Sequence, residues 1–337
     1  MTSSTPNIPM ISICVVTYKR HALLKTTLRS ILSQTFTDFE IVIGNNDDTC
    51  ALSGNVLGCE DPRIRFVNHP TNLGLLPNMN QTMQLARGHY VTWLNDDDLY
   101  SPYFLEQVNS VIASRNFPPC VFSAYDCFHS EEEIQNPASE SLDLKVYSGP
   151  EFLRDYLERK ISVVGCYAVY EREYLQGIGG MVMLGSHLGL YSDNLLAIKA
   201  GLLNEVPFIT APLVHFRFHD TSISKTSTDL DLYWKLQNGL LSACALIFSD
   251  QRLAKESGYY TFLLLSWVLT DAVNVATRAK EITLRQVWNY FGLLARFFKL
   301  WGPSVYWIYG MALFIRKSLR LTLNLAKIRN QSLQLGT

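Results

Sequence analysis

The sequence predicts an α/β fold with a largely parallel sheet, followed by a helical C-terminal region. Two observations lead there. Short β-branched and aromatic runs alternate with helix-period stretches over the first two thirds of the chain. After about Thr226 the strand signals stop, and residues 230–337 read as helices. This gives a first domain over 10–225 and a helical region over 226–337.

Residues 11–16 form the first buried strand, closed by the polar Thr17-Tyr18-Lys19-Arg20. Leu24, Leu28, Ile31 and Leu32 recur at helical spacing, so residues 21–33 are an amphipathic helix. A second strand over 39–43 runs into Gly44-Asn45-Asn46-Asp47-Asp48-Thr49, a polar loop fit to meet a ligand. A short strand over 64–67 and a loop with Asn72 and Gly74 lead to a helix near 78–87, closed by Gly88. The run 90–94 is a further buried strand. Beyond it come a helix over 102–114, a strand over 120–128 and a polar acidic insertion over 130–143. Ser148 and Glu151 form a capping box for a helix to about Lys160. Residues 163–170 read as a strand. Ser192 is placed to cap a helix through Ala200, with Asp193 in its first turn. Residues 206–218 are extended, and alternation puts His215, Arg217 and His219 on one side.

The chemistry gathers at Asn95-Asp96-Asp97-Asp98, where an apolar strand ends in three consecutive carboxylates. Open α/β sheets bind ligands beyond the carboxyl ends of their strands. Hard cations such as Mg²⁺ or Mn²⁺ take oxygen ligands, so the cluster would hold a metal that neutralises a diphosphate. A solvated acidic turn before the next helix accounts for the same residues.

Hydrophobic residues make up 48% of the 337 and charged residues 18%, enough for a sizeable core and against wholesale disorder. A formal net charge of −1 gives no drive toward nucleic acid. Seven cysteines, an odd count with no C-x-x-C pair, point to reduced thiols and a cytoplasmic protein. The N-terminus carries no signal pattern, and no run of 18 apolar residues marks a transmembrane helix. Residues 301–315 are uncharged and aromatic-rich, and Arg316, Lys317, Arg320, Lys327 and Arg329 follow. As a helix that stretch would span about 22 Å, short of a roughly 30 Å hydrocarbon core. Two readings of 284–329 stand: peripheral contact with the inner face of the cytoplasmic membrane, or packing on itself or on a second copy.

Taken in order, these motifs resemble the family 2 glycosyltransferases of the GT-A fold. The family's P-T-Y-N-R and S-x-x-x-Q are matched by Val16-Thr17-Tyr18-Lys19-Arg20 and Ser30 to Gln34. Asn72-Leu73-Gly74 and Asn80 match its N-x-G…N helix entry, and Ala86-Arg87-Gly88-His89-Tyr90 its A-R-G-x-Y. Gly179-Gly180, Ser192-Asp193-Asn194-Leu195 and the segment from Pro212 through Arg217, His219 and Ser222 are similar to its later signals.

The resemblance implies a metal-dependent, inverting transfer of sugar from a nucleotide-diphosphate sugar to a saccharide or lipid-linked acceptor. It implies Asp193 as general base and Asp97, Asp98 and His219 as ligands of Mn²⁺ or Mg²⁺. It implies donor binding by Thr17, Tyr18, Arg20, Asn45, Asn46, Asp47, Asn72, Gly74, Asn80 and Asp96. Lys19, Asn45 and Asn95 depart from the family pattern. Those departures keep a non-catalytic binding or scaffold protein on a degenerate GT-A fold as the alternative.

Overall fold

The computed structural model describes residues 8–136, 142–186, 188–219 and 226–279, with scattered positions between 283 and 292. The described residues up to Met183 and from 188 to His219 form one compact unit. Leu184–Ser186 and the described residues after 225 form another.

Among the described residues the first unit is built on a nine-stranded sheet, ordered β3-β2-β1-β4-β8-β6-β9-β5, with β7 also paired to β9. The strands β1 (Ile11–Thr17), β2 (Phe39–Asn45), β3 (Ile64–Asn68) and β4 (Tyr90–Asn95) are parallel. Every residue of β1 and β2 is buried, which is why both read as continuous apolar runs. In register, Thr17 lies beside Asn45 and Val16 beside Asn95, so the polar C-terminal ends of β1, β2 and β4 meet along one edge. The helices α1 (His21–Leu32), α2 (Gly54–Leu57) and α3 (Leu75–Leu85) connect these strands.

Beyond β4 the chain forms β5 (Leu99–Tyr100), α4 (Phe104–Ser114) and β6 (Cys120–Phe128). Next come β7 (Leu144–Tyr147), α5 (Gly149–Leu157), β8 (Val169–Glu171) and α6 (Arg172–Gly177). The unit closes with α7 (Ser192–Lys199) and β9 (Val206–Arg217). β8 runs antiparallel to β4 and β6, and β6 runs parallel to β9. β5 lies antiparallel to β9 with Leu99 opposite His215, which brings the end of β9 beside the carboxylate turn.

Four expectations change. Helix α3 starts at Leu75 rather than near 78, and Pro77 is accommodated in its first turn, where no intrahelical N–H is needed. Gly88 does not close that helix; a Cβ there would lie 2.7 Å from the Ser12 backbone nitrogen, so the residue serves a close strand approach. The segment 163–170 is not one strand, because residues 165–167 turn in a single 3₁₀ step before β8. Ser192 is the first residue of α7 rather than its cap; its hydroxyl donates to the Val182 carbonyl, and Tyr191 caps the helix in a left-handed conformation, φ 68°.

In the second unit, α8 (Leu230–Phe248) and α9 (Ser257–Arg278) pack through apolar positions including Leu240, Cys244, Leu264 and Val268. Gly239 is needed there, since a Cβ would meet the Leu184 carbonyl at 2.5 Å. Among the described residues no helix is long and apolar enough to cross a membrane. The basic and aromatic stretch 301–329 lies outside the described residues. No disulfide joins any of the seven cysteines.

Candidate active site

Five side chains converge at the C-terminal edge of β1 and β4. Arg20, at the start of α1, lays its guanidinium across two carboxylates: Nη1 donates to Asp97 Oδ2 at 2.7 Å, and Nη2 donates to Asp96 Oδ1. The Thr17 hydroxyl donates to the other Asp96 oxygen at 2.5 Å. His219, just past β9, sets Nε2 2.8 Å from Asp97 Oδ2. Burial pushes the Asp96 carboxyl up to about 6 against the pull of Arg20 and Thr17. Burial also works against the Arg20 charge, but the two aspartates overcome it and raise its pKa.

Asp98 is tied into the turn by hydrogen bonds to both of its carboxylate oxygens. Its Oδ1 accepts the Arg217 backbone N–H at 2.8 Å, and its Oδ2 accepts Asn95 Nδ2 at 3.0 Å and the Tyr167 hydroxyl. Thr27 Oγ1 donates to its carbonyl at 3.0 Å. With both oxygens engaged and 1% exposure, Asp98 braces the turn. Burial, and then the Asp97 charge, raise its pKa. Asn95, the amide where the family pattern has a carboxylate, bonds both Asp98 and Tyr167. Arg217 reaches the Asp97 carbonyl with Nε at 2.9 Å and Glu131 with Nη2 at 3.1 Å. His215 faces elsewhere, its Nδ1 2.6 Å from Asp126.

Most of the expected donor contacts are internal to the loops. Asn45 Nδ2 donates to the Cys50 carbonyl and Asn68 Oδ1, and its Oδ1 accepts the Asp47 N–H. Asn46 bridges to the Gly74 carbonyl and the Leu73 N–H. Asn72 Oδ1 accepts the Gly74 N–H, with Gly74 at φ 83°. Asn80 pairs with both backbone groups of Met181. In these loops the asparagine amides replace backbone partners that irregular backbone lacks.

Asp47 is buried just past the end of β2, 5% exposed. Its Oδ1 accepts the Thr49 N–H and hydroxyl, and the Lys19 ammonium stands 4.0 Å away. Those Thr49 bonds, with Lys19 and His21 nearby, hold its carboxyl below the usual range. Tyr18 is 45% exposed, with the Lys19 ammonium 5.2 Å from its ring centroid.

Asp193 stands in the first turn of α7, and burial pushes its carboxyl up to about 6. The bulky Tyr191 in left-handed backbone two residues earlier is strained geometry of the kind held in place at functional sites.

Residues 12–179 match the family model described as Glycosyl transferase family 2. The chain belongs to that family. It is 34% identical over 98 residues to the putative colanic acid biosynthesis glycosyl transferase WcaA of Escherichia coli, covering 28% of this chain and 35% of WcaA. It is 37% identical over 94 residues to a GalNAc(5)-diNAcBac-PP-undecaprenol beta-1,3-glucosyltransferase of Campylobacter jejuni, covering 27% and 30%. Against the putative glycosyltransferase EpsH of Bacillus subtilis it is 23% identical over 223 residues, 64% of this chain and 62% of EpsH. The chain therefore spans less than two thirds of each of these relatives. S. aureus TarS 1-349, solved with UDP-GlcNAc, superposes with a TM-score of 0.62 at 12% identity over 94% of this chain and 91% of TarS. The glycosyltransferase domain thus has the GT-A fold expected from the sequence.

The family pattern would have flagged Asp96, Asp97 and Asp193 as they stand. It gave no hint of Tyr167, whose hydroxyl reaches the Asp98 carboxylate from a turn that reads as strand.

Proposed function

We propose that this protein transfers a sugar from a nucleotide-diphosphate sugar to a hydroxyl of a saccharide or lipid-linked acceptor, inverting the anomeric centre. The observation that carries the reading is the Arg20–Asp96–Asp97–His219 cluster at the strand ends. A diphosphate is a leaving group whose charge must be met there, and open α/β sheets bind ligands at that edge.

The residues fit a divalent cation. Asp97 offers carboxylate oxygen and His219 an imidazole nitrogen within 2.8 Å of it, donors that suit Mn²⁺ or Mg²⁺. Among the described residues no three His, Cys, Asp or Glu side chains form a closed metal cage. That suits a site whose remaining ligands are phosphate oxygens and water. A bound cation would supply charge stabilisation for the departing diphosphate.

The chain's own groups do the rest. Arg20 is half exposed, so its guanidinium can pair with phosphate oxygens as well as with Asp96 and Asp97. Tyr18 and Asp47 offer a ring face and a carboxylate to the nucleoside. Asp193 accepts the acceptor hydroxyl proton in the transition state, and a pKa of about 6 leaves it ionised yet basic at neutral pH. The oxygen, freed of its proton, attacks the anomeric carbon opposite the leaving diphosphate.

Incubating the full chain with a panel of nucleotide sugars and Mn²⁺, with saccharide and polyprenyl-diphosphate acceptors, tests this by mass spectrometry of products. Neither transfer nor slow donor hydrolysis with any member would defeat it in favour of a binding protein.

A further inference from the structure

The turn Gly165–Cys166–Tyr167 touches both ends of the proposed chemistry. At one end, Tyr167 is 3% exposed and its hydroxyl donates to Asp98 Oδ2. Asn95 Nδ2 closes the ring, 2.7 Å from the Tyr167 oxygen and 3.0 Å from Asp98. Asp98 is covalently next to Asp97, so whatever fixes its carboxylate fixes the turn that carries Asp96 and Asp97.

At the other end, Gly165 lies flat against the backbone of Asp193. A Cβ on Gly165 would stand 1.8 Å from the Asp193 carbonyl oxygen, 2.7 Å from its carbonyl carbon and 3.1 Å from Leu196 Cβ. No side chain fits there unless α7 moves. The turn is itself pinned to the sheet, because the Tyr170 hydroxyl donates to the Gly165 carbonyl at 2.7 Å and Tyr170 pairs with Val91 of β4. Cys166, 6% exposed between them, feels both carboxylates: after burial, the Asp193 and Asp98 charges raise its pKa well above the usual thiol value.

We infer that this three-residue turn is a rigid spacer setting the distance and alignment between the Asp96–Asp97 turn and Asp193, and that Gly165 and Tyr167 are positioning residues for transfer. The inference rests on the glycosyltransferase reading above. In-line attack needs the acceptor oxygen and the anomeric carbon in near-contact, and an error of about 1 Å costs on the order of 100-fold in rate. A spacer bonded to both sides supplies that alignment before substrate arrives. A turn that merely fills the core would lose no turnover when the single Tyr167 oxygen is removed.

The test uses Gly165→Ala and the milder Tyr167→Phe, which removes one oxygen and keeps the ring. Expected for Gly165→Ala is a kcat about 100-fold lower per folded molecule, with the Kd for a nucleoside diphosphate plus Mn²⁺ within threefold of wild type. Tyr167→Phe is expected to lower kcat about tenfold with a similarly small Kd change. Added to Asp193→Asn, Gly165→Ala should not lower the residual rate further, because it acts through the base.

Wild-type kcat per folded molecule in both variants overturns the inference. So does a tenfold weaker nucleotide Kd with unchanged kcat in Tyr167→Phe, which would confine that residue to donor binding. If Gly165→Ala does not fold, Tyr167→Phe decides alone. If the wild-type chain transfers no sugar, the enzymatic reading fails, and a crystal structure still judges the spacer. Asp193 should be displaced by about 1 Å relative to Asp97 in Gly165→Ala or, failing that, Asp97 relative to Asp193 in Tyr167→Phe, and an unchanged spacing refutes it.

Discussion

The same sheet carries buried carboxylates at both ends, and the two ends treat them oppositely. Near the N-terminal ends of β1, β2 and β4, Glu40 takes Ser12 Oγ at 2.7 Å, the Arg87 backbone N–H at 2.6 Å, Arg87 Nη2 at 2.8 Å and Arg65 Nε at 3.0 Å. Burial alone would raise its pKa, but these donors hold it below the usual range. At the C-terminal ends, Asp96 and Asp97 share one guanidinium, and Asp96 stays raised to about 6. Two arginines serve one acid at the first end, and one arginine serves two acids at the second. Fully matched charge tightens a fold, whereas under-matched charge is a standing attraction for a cationic or proton-bearing ligand.

The largest expected effect is at Asp193. Asp193→Asn should lower transfer by about 10²- to 10⁴-fold while the Kd for nucleoside diphosphate stays near wild type, measured by steady-state kinetics and calorimetry. The same change should raise thermal stability at pH 7.5 by on the order of 1–3 kcal/mol, since it removes a buried carboxylate that resists ionising. Loss of activity together with loss of stability would make Asp193 structural, like Glu40.

Next in size is Asp97→Ala, expected to weaken Mn²⁺-dependent binding of a nucleoside diphosphate at least tenfold without lowering the melting temperature by more than a few degrees. Tight Mn²⁺ binding without nucleotide, retained in the variant, would move the metal site elsewhere. Glu40→Gln should do the reverse. It strands two arginines that are partly exposed, so the cost is about 1–3 kcal/mol of stability, with kcat per folded molecule unchanged.

The smallest effect is the pH response. Transfer should fall tenfold per unit below about pH 6, where Asp193 takes up its proton. Between its ordinary value of 3.8 and about 6, the folded state holds a proton the unfolded chain has released, so Asp193 makes stability fall as pH rises across that window. Glu40, depressed in the folded state, works the other way: its contribution is present above its ordinary 4.5 and is lost as pH falls through the folded value. Thermal melts of Asp193→Asn and Glu40→Gln from pH 4 to 7 should diverge from wild type in opposite directions, and parallel curves would erase the contrast.

The sheet was legible in the sequence because β1, β2 and β4 are buried on both faces and read as apolar runs. The carboxylate turn was legible because three adjacent aspartates repel one another, and at the end of a buried strand they become favourable once a positive group meets them. What did not show was direction. Asn45, Asn46, Asn72 and Asn80 are of the right type to bind a nucleotide, yet each amide is engaged with loop backbone or a neighbouring side chain, and sequence does not say which way an amide faces. Asp98 looked equivalent to Asp97, and only the approach of β9 and of the 165–167 turn separates them. Gly165 did leave a trace: a glycine inside an apolar run signals close backbone approach, here against Asp193.

The irregular pairing of β6 with β9 bears on how this family can vary. From Ser123 to Tyr125 the chain takes two steps along β6, while the partner positions run from Ile209 to Val214, five steps along β9. The surplus is an odd number, and in a strand odd surpluses exchange the two faces. β9 therefore carries a frame-shift near Pro212, and Arg217 and His219 are read in the new frame. Deleting any single residue from 210 to 213 would leave a plausible strand with the correct composition and a correct-looking motif at its end. It would also turn His219 away from Asp97, so a homologue with a one-residue gap there is expected to keep the signature in its sequence and lose it in space.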